Sequence, residues 1–305
     1  MIRTDLALEA KEMYHESVGK VTEIDGVKAK VEEKDGISVT TVEILNQAGK
    51  EALGKEQGTY ITIEMTDFLK CGVCYAENAS IELKEQLLSL TDIKKGDQIL
   101  VVGLGNRGIT ADALGSFVTD KLIVTSHLKE LAPEAAKDLG CVSAIAPGVL
   151  GSTGMETADI IKGILTRTKP KLIIVIDALA SRCAERIGNT VQISDTGIQP
   201  GSGIGNRRLA LNRDTLGVPV IAIGVPTVID AATIAYDAVT KTSATPFTKE
   251  HFEALKAEIF KSKDNLIVTP KDADKLLKQL SDIVSAAINM AFHDIPLEEI
   301  SYYIE

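Results

Sequence analysis

The stretch ILVVGLGNRGITADAL, residues 99–114, decides the fold class. Its first five residues are typical of a strand buried on both faces of a parallel sheet. A glycine-rich turn follows, and Asp112 then stands where we expect a helix to begin. A second apolar run, KLIIVI at 171–176, ends at Asp177, and Ala-Leu follows both acids. The two units predict one sheet that carries carboxylates at the carboxyl ends of its strands.

The rest of the chain has the pattern of an α/β protein. Residues 20–64 alternate in polarity around two Asp-Gly turn signals and predict an antiparallel β element, with 60–65 as a further strand. From residue 98 onward strands and helices alternate, which predicts a mostly parallel, twisted sheet covered on both faces. The other predicted strands are 121–125, 142–146, 172–176, 191–193 and 218–224. The predicted helices are 4–17, 78–90, 155–166, 228–239, 249–261 and 270–291.

Composition argues against several classes of protein. The 305 residues are 45% hydrophobic and 25% charged, as in ordinary globular domains. No uncharged apolar run is long enough to span a membrane, and the N-terminus lacks the apolar core of a signal peptide, so we expect a cytoplasmic protein. The formal net charge of −10 argues against direct binding of nucleic acid, which needs a basic surface.

Metal and cofactor binding have little support in the sequence. Cys71 and Cys74 have the spacing of a metal or redox pair, but no second pair of ligands is present nearby. The four histidines are scattered and form no metal-binding motif. We therefore predict reduced thiols, no metal and no cofactor.

Two glycine-rich loops leave other functions open. The loop from Gly103 to Gly108 follows a predicted strand and matches the GxGxxG fingerprint of a nicotinamide-dependent oxidoreductase. However, Asp112 would place negative charge near a bound pyrophosphate, and no acid ends the next predicted strand. The second loop, PGSGIGNRR from Pro200, lacks the lysine of a phosphate-binding loop, but its N–H groups could hold a peptide carbonyl or an anion.

Asp112 and Asp177 allow two interpretations. Each could cap a helix, which is the ordinary role of an Asp at the end of a strand. Together they could share one proton and activate a water molecule, with one acting as base and the other as acid. Spacing alone favours the caps, and Asp195 and Asp230 also follow predicted strands.

Long blocks of the sequence resemble the germination protease family of spore-forming bacteria. The blocks that follow the family pattern are RTDLALEA (3–10), VVGLGN (101–106), ADALG (111–115), SAIAPGVLGSTGMET (143–157), IDALASR (176–182), QISDTGIQPGSGIGN (192–206) and PVIAIGVPTVIDA (219–231). The resemblance implies a three-layer αβα fold similar to hydrogenase maturation proteases. It also implies a single peptidase domain over residues 6–305, with a β-rich part at about 19–65.

The resemblance also implies a function. It points to an atypical aspartic endopeptidase that begins the degradation of small acid-soluble spore proteins during germination, in the spore core, as a homotetramer. The catalytic roles carry over to Asp112 and Asp177. A metal-dependent, maturation-type protease in which these acids bind the metal stays an alternative, as does a non-enzymatic binder of basic spore proteins.

The N-terminus resembles the cleavage motif of the family's own substrates. The segment TDLALE, residues 4–9, implies a zymogen that cleaves itself between Asp5 and Leu6, with residues 1–5 as propeptide. The two glycine-rich loops are expected to contact the substrate. The residues predicted for that contact are Gly105, Asn106, Gly201, Ser202 and Gly203.

Overall fold

One mixed sheet forms the centre of the protein. The computed structural model describes residues 4–18, 23–65, 73–134, 136–203, 208–242, 249–259 and 266–304. Within those ranges the strands are β1 (Val27–Lys34), β2 (Ile37–Ile44), β3 (Gly58–Met65), β4 (Gln98–Gly103), β5 (Cys141–Ile145), β6 (Leu172–Ser181), β7 (Thr190–Ser194), β8 (Val220–Asp230) and β9 (Ile267–Val268). Their order across the sheet is β1-β2-β3-β7-β8-β6-β4-β5, and β9 pairs with β8.

Helices connect and cover these strands. They are α1 (Ala7–Val18), α2 (Gln47–Leu53), α3 (Val73–Ser89), α4 (Leu114–Thr119), α5 (Ser126–Leu131), α6 (Leu150–Thr153), α7 (Thr157–Thr168), α8 (Arg213–Leu216), α9 (Ala231–Thr242), α10 (Lys249–Ile259), α11 (Ala273–His293) and α12 (Ser301–Ile304). In the described part of the chain, none of these helices combines the length and the apolar character that crossing a membrane requires.

The sheet has a parallel core with an antiparallel extension. Strands β8, β6, β4 and β5 run parallel to their neighbours within that group. Strands β1, β2 and β3 pair antiparallel and join the core through β7. The prediction of an α/β sheet extended by an N-terminal antiparallel element is confirmed.

Helices pack on both faces, so the fold has three layers. On one face α3, α4 and α11 bury the larger apolar core, which includes Val101, Ile174 and Ile223. On the other face α7 and α8 pack over a second core that includes Val102 and Val175. Beside it, α1 and α2 cover the N-terminal strands. Because residues of one strand alternate between the two cores, the central strands are apolar throughout.

The predicted strand 121–125 is wrong. In the structure this segment leads into α5 without joining a ladder. The side chain of Asn289 on α11 accepts from the backbone N–H of Ile123 and donates to the carbonyl of Lys121. These partners satisfy the backbone groups that a neighbouring strand would otherwise bind.

Two strands extend further than their apolar runs predict. Strand β6 continues past Asp177 to Ser181, and β8 continues to Asp230 where a helix was predicted from residue 228. The two extensions pair with each other, which compensates for their weaker strand propensity. Helix α2, between β2 and β3, was not predicted.

Candidate active site

A cleft of about 610 Å³ opens at the carboxyl ends of β4 and β6. Its walls come from the segment after β4, the segment before α7, the end of β6 and the glycine-rich loop near residue 200. Three aspartates, Asp5, Asp112 and Asp177, line it together with a fourth carboxylate, Glu156. The cleft therefore lies where open α/β sheets usually bind ligands.

Asp177 is the most buried of the three aspartates, with 6% of its surface exposed. It lies within β6, opposite Gly224 of β8, and not past the end of the strand as predicted. Its Oδ1 accepts a hydrogen bond from the N–H of Ala178 at 2.9 Å. Burial raises the pKa of Asp177 well above the usual value, and the nearby charges of Asp112 and Asp5 raise it further. A proton is thus retained here more readily than on an exposed Asp.

Asp112 reaches the same cleft from a short 3₁₀ turn, Thr110–Asp112, and not from the start of an α-helix as predicted. Its Oδ2 accepts from the backbone N–H of Asn106 at 2.8 Å. Burial raises the pKa of Asp112, while the Asn106 N–H lowers it. The backbone donor favours the ionised form of Asp112, which is the form that a general base needs.

Gly105 makes room for Asp112. It has φ of +99°, a conformation that favours glycine, and a Cβ placed on it would lie 1.9 Å from the Asp112 carbonyl oxygen. The helix-cap interpretation of the two acids is wrong, because Asp112 accepts from the turn before it and Asp177 from its own strand. Gly105, in the glycine-rich loop after β4, therefore leaves space for the backbone of Asp112.

Asp5 is held by two hydrogen bonds to its carboxylate and one from its backbone N–H. The Ser202 hydroxyl donates to its Oδ1 at 2.7 Å, and the N–H of Ala180 donates to its Oδ2 at 2.9 Å. The backbone N–H of Asp5 donates to the Ala180 carbonyl at 3.0 Å. Gly203 lies against the same carboxylate, since a Cβ there would be 2.1 Å from Oδ2. The N-terminal segment is thus bound at the edge of the cleft.

The peptide group between Asp5 and Leu6 is bound more deeply. The Asp5 carbonyl oxygen accepts from Lys55 Nζ at 2.9 Å and from Gln192 Nε2 at 3.2 Å. The same amide of Gln192 accepts from the N–H of Ala7 at 2.7 Å, and the Leu6 side chain is wholly buried. Burial lowers the pKa of the Lys55 ammonium, against the opposing charges of Asp5 and Glu9.

Glu9 anchors the start of α1 in a polar pocket. It has no exposed surface, and its oxygens accept from the Ser181 hydroxyl at 2.7 Å and the N–H groups of Arg182 and Cys183 at 2.7 and 2.9 Å. The Thr4 hydroxyl also donates to it. These contacts fix the segment from Thr4 to Glu9 across the end of β6.

The structure brings most of the predicted site residues together. Asp5, Asp112, Asp177, Gly105, Asn106, Gly201 and Gly203 line the cleft, and Ser202 contacts Asp5. The Leu6 side chain is wholly buried. Residues 1–3 of the predicted propeptide lie outside the described ranges, and so does Cys71. Lys55 and Gln192 were missed. Gln192 lies in a quoted sequence block, whereas Lys55 lies in a polar stretch with no signal.

Among the described residues of the cleft, the backbone donors expected of a pyrophosphate site are already used. The N–H of Asn106, which a pyrophosphate would need, is already bonded to Asp112, and α4 begins only at Leu114. Among the described residues, no group of three or more His, Cys, Asp or Glu side chains is arranged to hold a metal ion. The backbone of the glycine-rich loop after β4 thus binds the carboxylate of Asp112.

An α/β fold with buried carboxylates at the carboxyl ends of parallel strands defines the general class: an enzyme-like α/β protein with an acidic cleft. Residues 7–256 match the family described as germination protease. The chain belongs to the germination protease family and is therefore a protease, a hydrolase of peptide bonds.

Individual relatives agree with the family match. The germination protease of Caldanaerobacter subterraneus subsp. tengcongensis is 46% identical, over 95% of this chain and 94% of the relative. That of Clostridium tetani is 45% identical, over 99% of both chains. Among solved structures, the [NiFe] hydrogenase maturation protease HycI from Thermococcus kodakarensis KOD1 is 18% identical over 62% of this chain and 92% of that chain, with a TM-score of 0.27. The fold class rests on the strand topology.

Proposed function

We propose that this protease is an endopeptidase in which Asp112 and Asp177 activate water to cleave small acid-soluble spore proteins during germination. Family membership supports the germination role. The observation that carries the aspartic mechanism is the meeting of two acids with raised pKa values in one cleft. Two such carboxyl groups, of which one keeps its proton, can supply both the base and the acid for amide hydrolysis without a metal.

The proposed mechanism divides the work between the acids. Asp112, which accepts a backbone N–H, is the base that takes a proton from water. Asp177, which is more buried, is the acid that gives its proton to the leaving amine. The water oxygen bonds to the carbonyl carbon, the carbon–nitrogen bond breaks, and the dyad ends with its proton exchanged between members.

The same dyad is proposed to cleave its own chain between Asp5 and Leu6. Asp5 lines the cleft with the two acids, which supports access to this bond. Leu6 is wholly buried, so the bound segment also covers part of the site before cleavage. We therefore propose that the chain is made as a zymogen whose N-terminal segment ends at Asp5.

The assembly and location are further parts of the proposal. By family resemblance the enzyme is a homotetramer in the cytoplasm of the spore core, and its protein partners are its substrates. Strand β1, at the edge of the sheet, is exposed along nearly its whole length. An unpaired edge of this kind is a surface on which subunits can pair.

Incubation with a purified small acid-soluble spore protein tests the function. We expect the wild-type chain to release defined fragments, and Asp112→Asn and Asp177→Asn to slow cleavage by about 10²- to 10⁴-fold. Asp195→Asn is the matched control, because Asp195 follows β7 outside the cleft and accepts from Thr59. Intact substrate with wild-type enzyme, or loss of cleavage on chelation of metals, would contradict the proposal.

A further inference from the structure

The backbone around Asp5 has a feature that the acid pair does not explain. The carbonyl oxygen of Asp5, which belongs to the peptide bond before Leu6, accepts from two side chains at once. One donor is the ammonium of Lys55 and the other is the amide of Gln192. A charged donor and a fixed neutral donor on one carbonyl are the components of an oxyanion hole.

Both donors are themselves held in place. Lys55 Nζ bonds the Thr4 carbonyl at 3.0 Å as well as the Asp5 carbonyl, so its ammonium bridges two successive peptide groups. Gln192 accepts from the N–H of Ala7 at 2.7 Å, which fixes the orientation of its amide. Preorganised donors of this kind need little rearrangement when charge develops on the oxygen.

The sheet register places these donors near the acids. Gln192 of β7 lies opposite Gly224 of β8, and Gly224 lies opposite Asp177 of β6. Residues directly opposite in adjacent strands share one face of the sheet, so Gln192 and Asp177 point to the same side. Two strand spacings separate them, roughly 10 Å, and the Leu179 side chain lies over Gly224 between them. The Asp5 carbonyl, which Gln192 binds, therefore lies on the side of the sheet that carries Asp177.

We propose that Lys55 and Gln192 form the oxyanion site for cleavage of the Asp5–Leu6 bond. The inference rests on the proposed function, because it assumes that the dyad cuts this bond. As water adds to the carbonyl carbon, the carbonyl oxygen gains negative charge and Lys55 and Gln192 stabilise it. When the carbon–nitrogen bond breaks, the oxygen returns to a carbonyl, Asp5 ends in a carboxylate and Leu6 keeps the new amine.

The test follows the mass of the full-length chain during self-cleavage. Lys55→Met and Gln192→Leu each remove one donor, and we expect each to slow cleavage by about 10²- to 10³-fold. Lys55→Arg, which retains a cationic donor, should recover part of the rate. Lys50→Met is the matched control, because Lys50 pairs with Glu56 on the surface, and its rate should equal that of wild type.

A spectroscopic readout tests whether both side chains bond the Asp5 carbonyl in the folded protein. In the non-cleaving Asp177→Asn background, the ¹³C resonance of the Asp5 carbonyl should move upfield in both donor variants and not in Lys50→Met, because the carbonyl loses a hydrogen bond. Far-ultraviolet circular dichroism identifies any variant that fails to fold, in which case the other donor variant decides.

The possible outcomes distinguish a failure of the oxyanion site from a failure of self-cleavage. Folded donor variants that cleave as fast as Lys50→Met would overturn the oxyanion site and leave the aspartate dyad intact. An unchanged carbonyl resonance would overturn it as well. A wild-type chain that never cleaves itself would instead overturn self-cleavage, and the role given to the two donors with it.

Discussion

Gly105 leaves the backbone beside Asp112 little freedom to change. Its φ is +99°, and an added Cβ would meet the Asp112 carbonyl at 1.9 Å. We expect Gly105→Ala to lower the free energy of unfolding by about 1–3 kcal/mol and to displace Asp112. Urea denaturation measures the first effect. As a control, Gly163→Ala on α7 meets nothing within 4 Å and should be neutral or stabilising by up to about 1 kcal/mol.

Asp177 makes stability depend on pH. Its pKa is raised in the folded state, so its favourable contribution is complete below the unfolded pKa of about 3.9 and is lost as pH rises through the folded value. Asp177→Asn removes the buried charge. We therefore expect this variant to have a higher Tm than wild type at neutral pH, with the difference shrinking as the pH falls. A Tm difference that does not vary with pH would contradict this account.

At the scale of elements, Glu9 connects α1 to the end of β6. Its buried carboxylate accepts from the Ser181 hydroxyl and lies 3.5 Å from the guanidinium of Arg186. Glu9→Ala leaves the backbone N–H of Arg182 without its acceptor, whereas Arg186 keeps Glu12 and Glu64, so we expect a loss of about 1–3 kcal/mol in the free energy of unfolding. Glu16→Ala, which removes a solvent-exposed carboxylate of the same helix from Arg182, should cost less, about 1 kcal/mol.

Urea denaturation compares the two Glu variants, and limited proteolysis reports whether α1 detaches. Equal stability of Glu9→Ala and Glu16→Ala would mean that the buried pocket does not anchor the helix.

The sequence predicts the central elements well, because apolar runs mark strands that are buried on both faces. It fails where a tertiary partner overrides local pattern. Residues 178–181 of β6 lie beyond the predicted strand 172–176, but they pair with the equally extended end of β8. Residues 121–125 look like a strand, but Asn289 of α11 takes up their backbone groups.

The site was predictable in part for a similar reason. Asp112 and Asp177 follow apolar runs that are evident in the sequence, and the structure brings both into one cleft. Lys55 has no such signal, because its partners at residues 4 and 5 are distant in sequence. Glu9 is similarly hidden, since its hydrogen-bond donors lie at the end of β6. Long-range polar contacts leave no periodic pattern.

On the scale of the whole molecule, one sheet unites four distant segments around the cleft. The N-terminal strands join the parallel core through β7, which lets α1 and Asp5 reach the end of β6. The larger apolar core on the opposite face makes this platform rigid. The acids are therefore positioned by the fold as a whole, and their charges act on each other across the cleft.

That mutual influence predicts how self-cleavage varies with pH. The dyad works when Asp177 is protonated and Asp112 is ionised, and the pKa of Asp177 is raised. Self-cleavage should therefore accelerate as the pH falls from alkaline values through the raised pKa of Asp177, because the protonated fraction of Asp177 grows. At still lower pH, protonation of Asp112 should slow it. A rate that rises steadily with pH would contradict the assignment of the two roles.

The central claim is that Asp112 and Asp177 together hydrolyse peptide bonds, beginning with that between Asp5 and Leu6. Intact-mass spectrometry of the wild-type chain, Asp112→Asn and Asp177→Asn, each held at mildly acidic pH, tests it most directly. The account predicts that wild type loses the segment ending at Asp5 and that both variants keep it while staying folded. Release of that segment by either folded variant at the wild-type rate would contradict the claim.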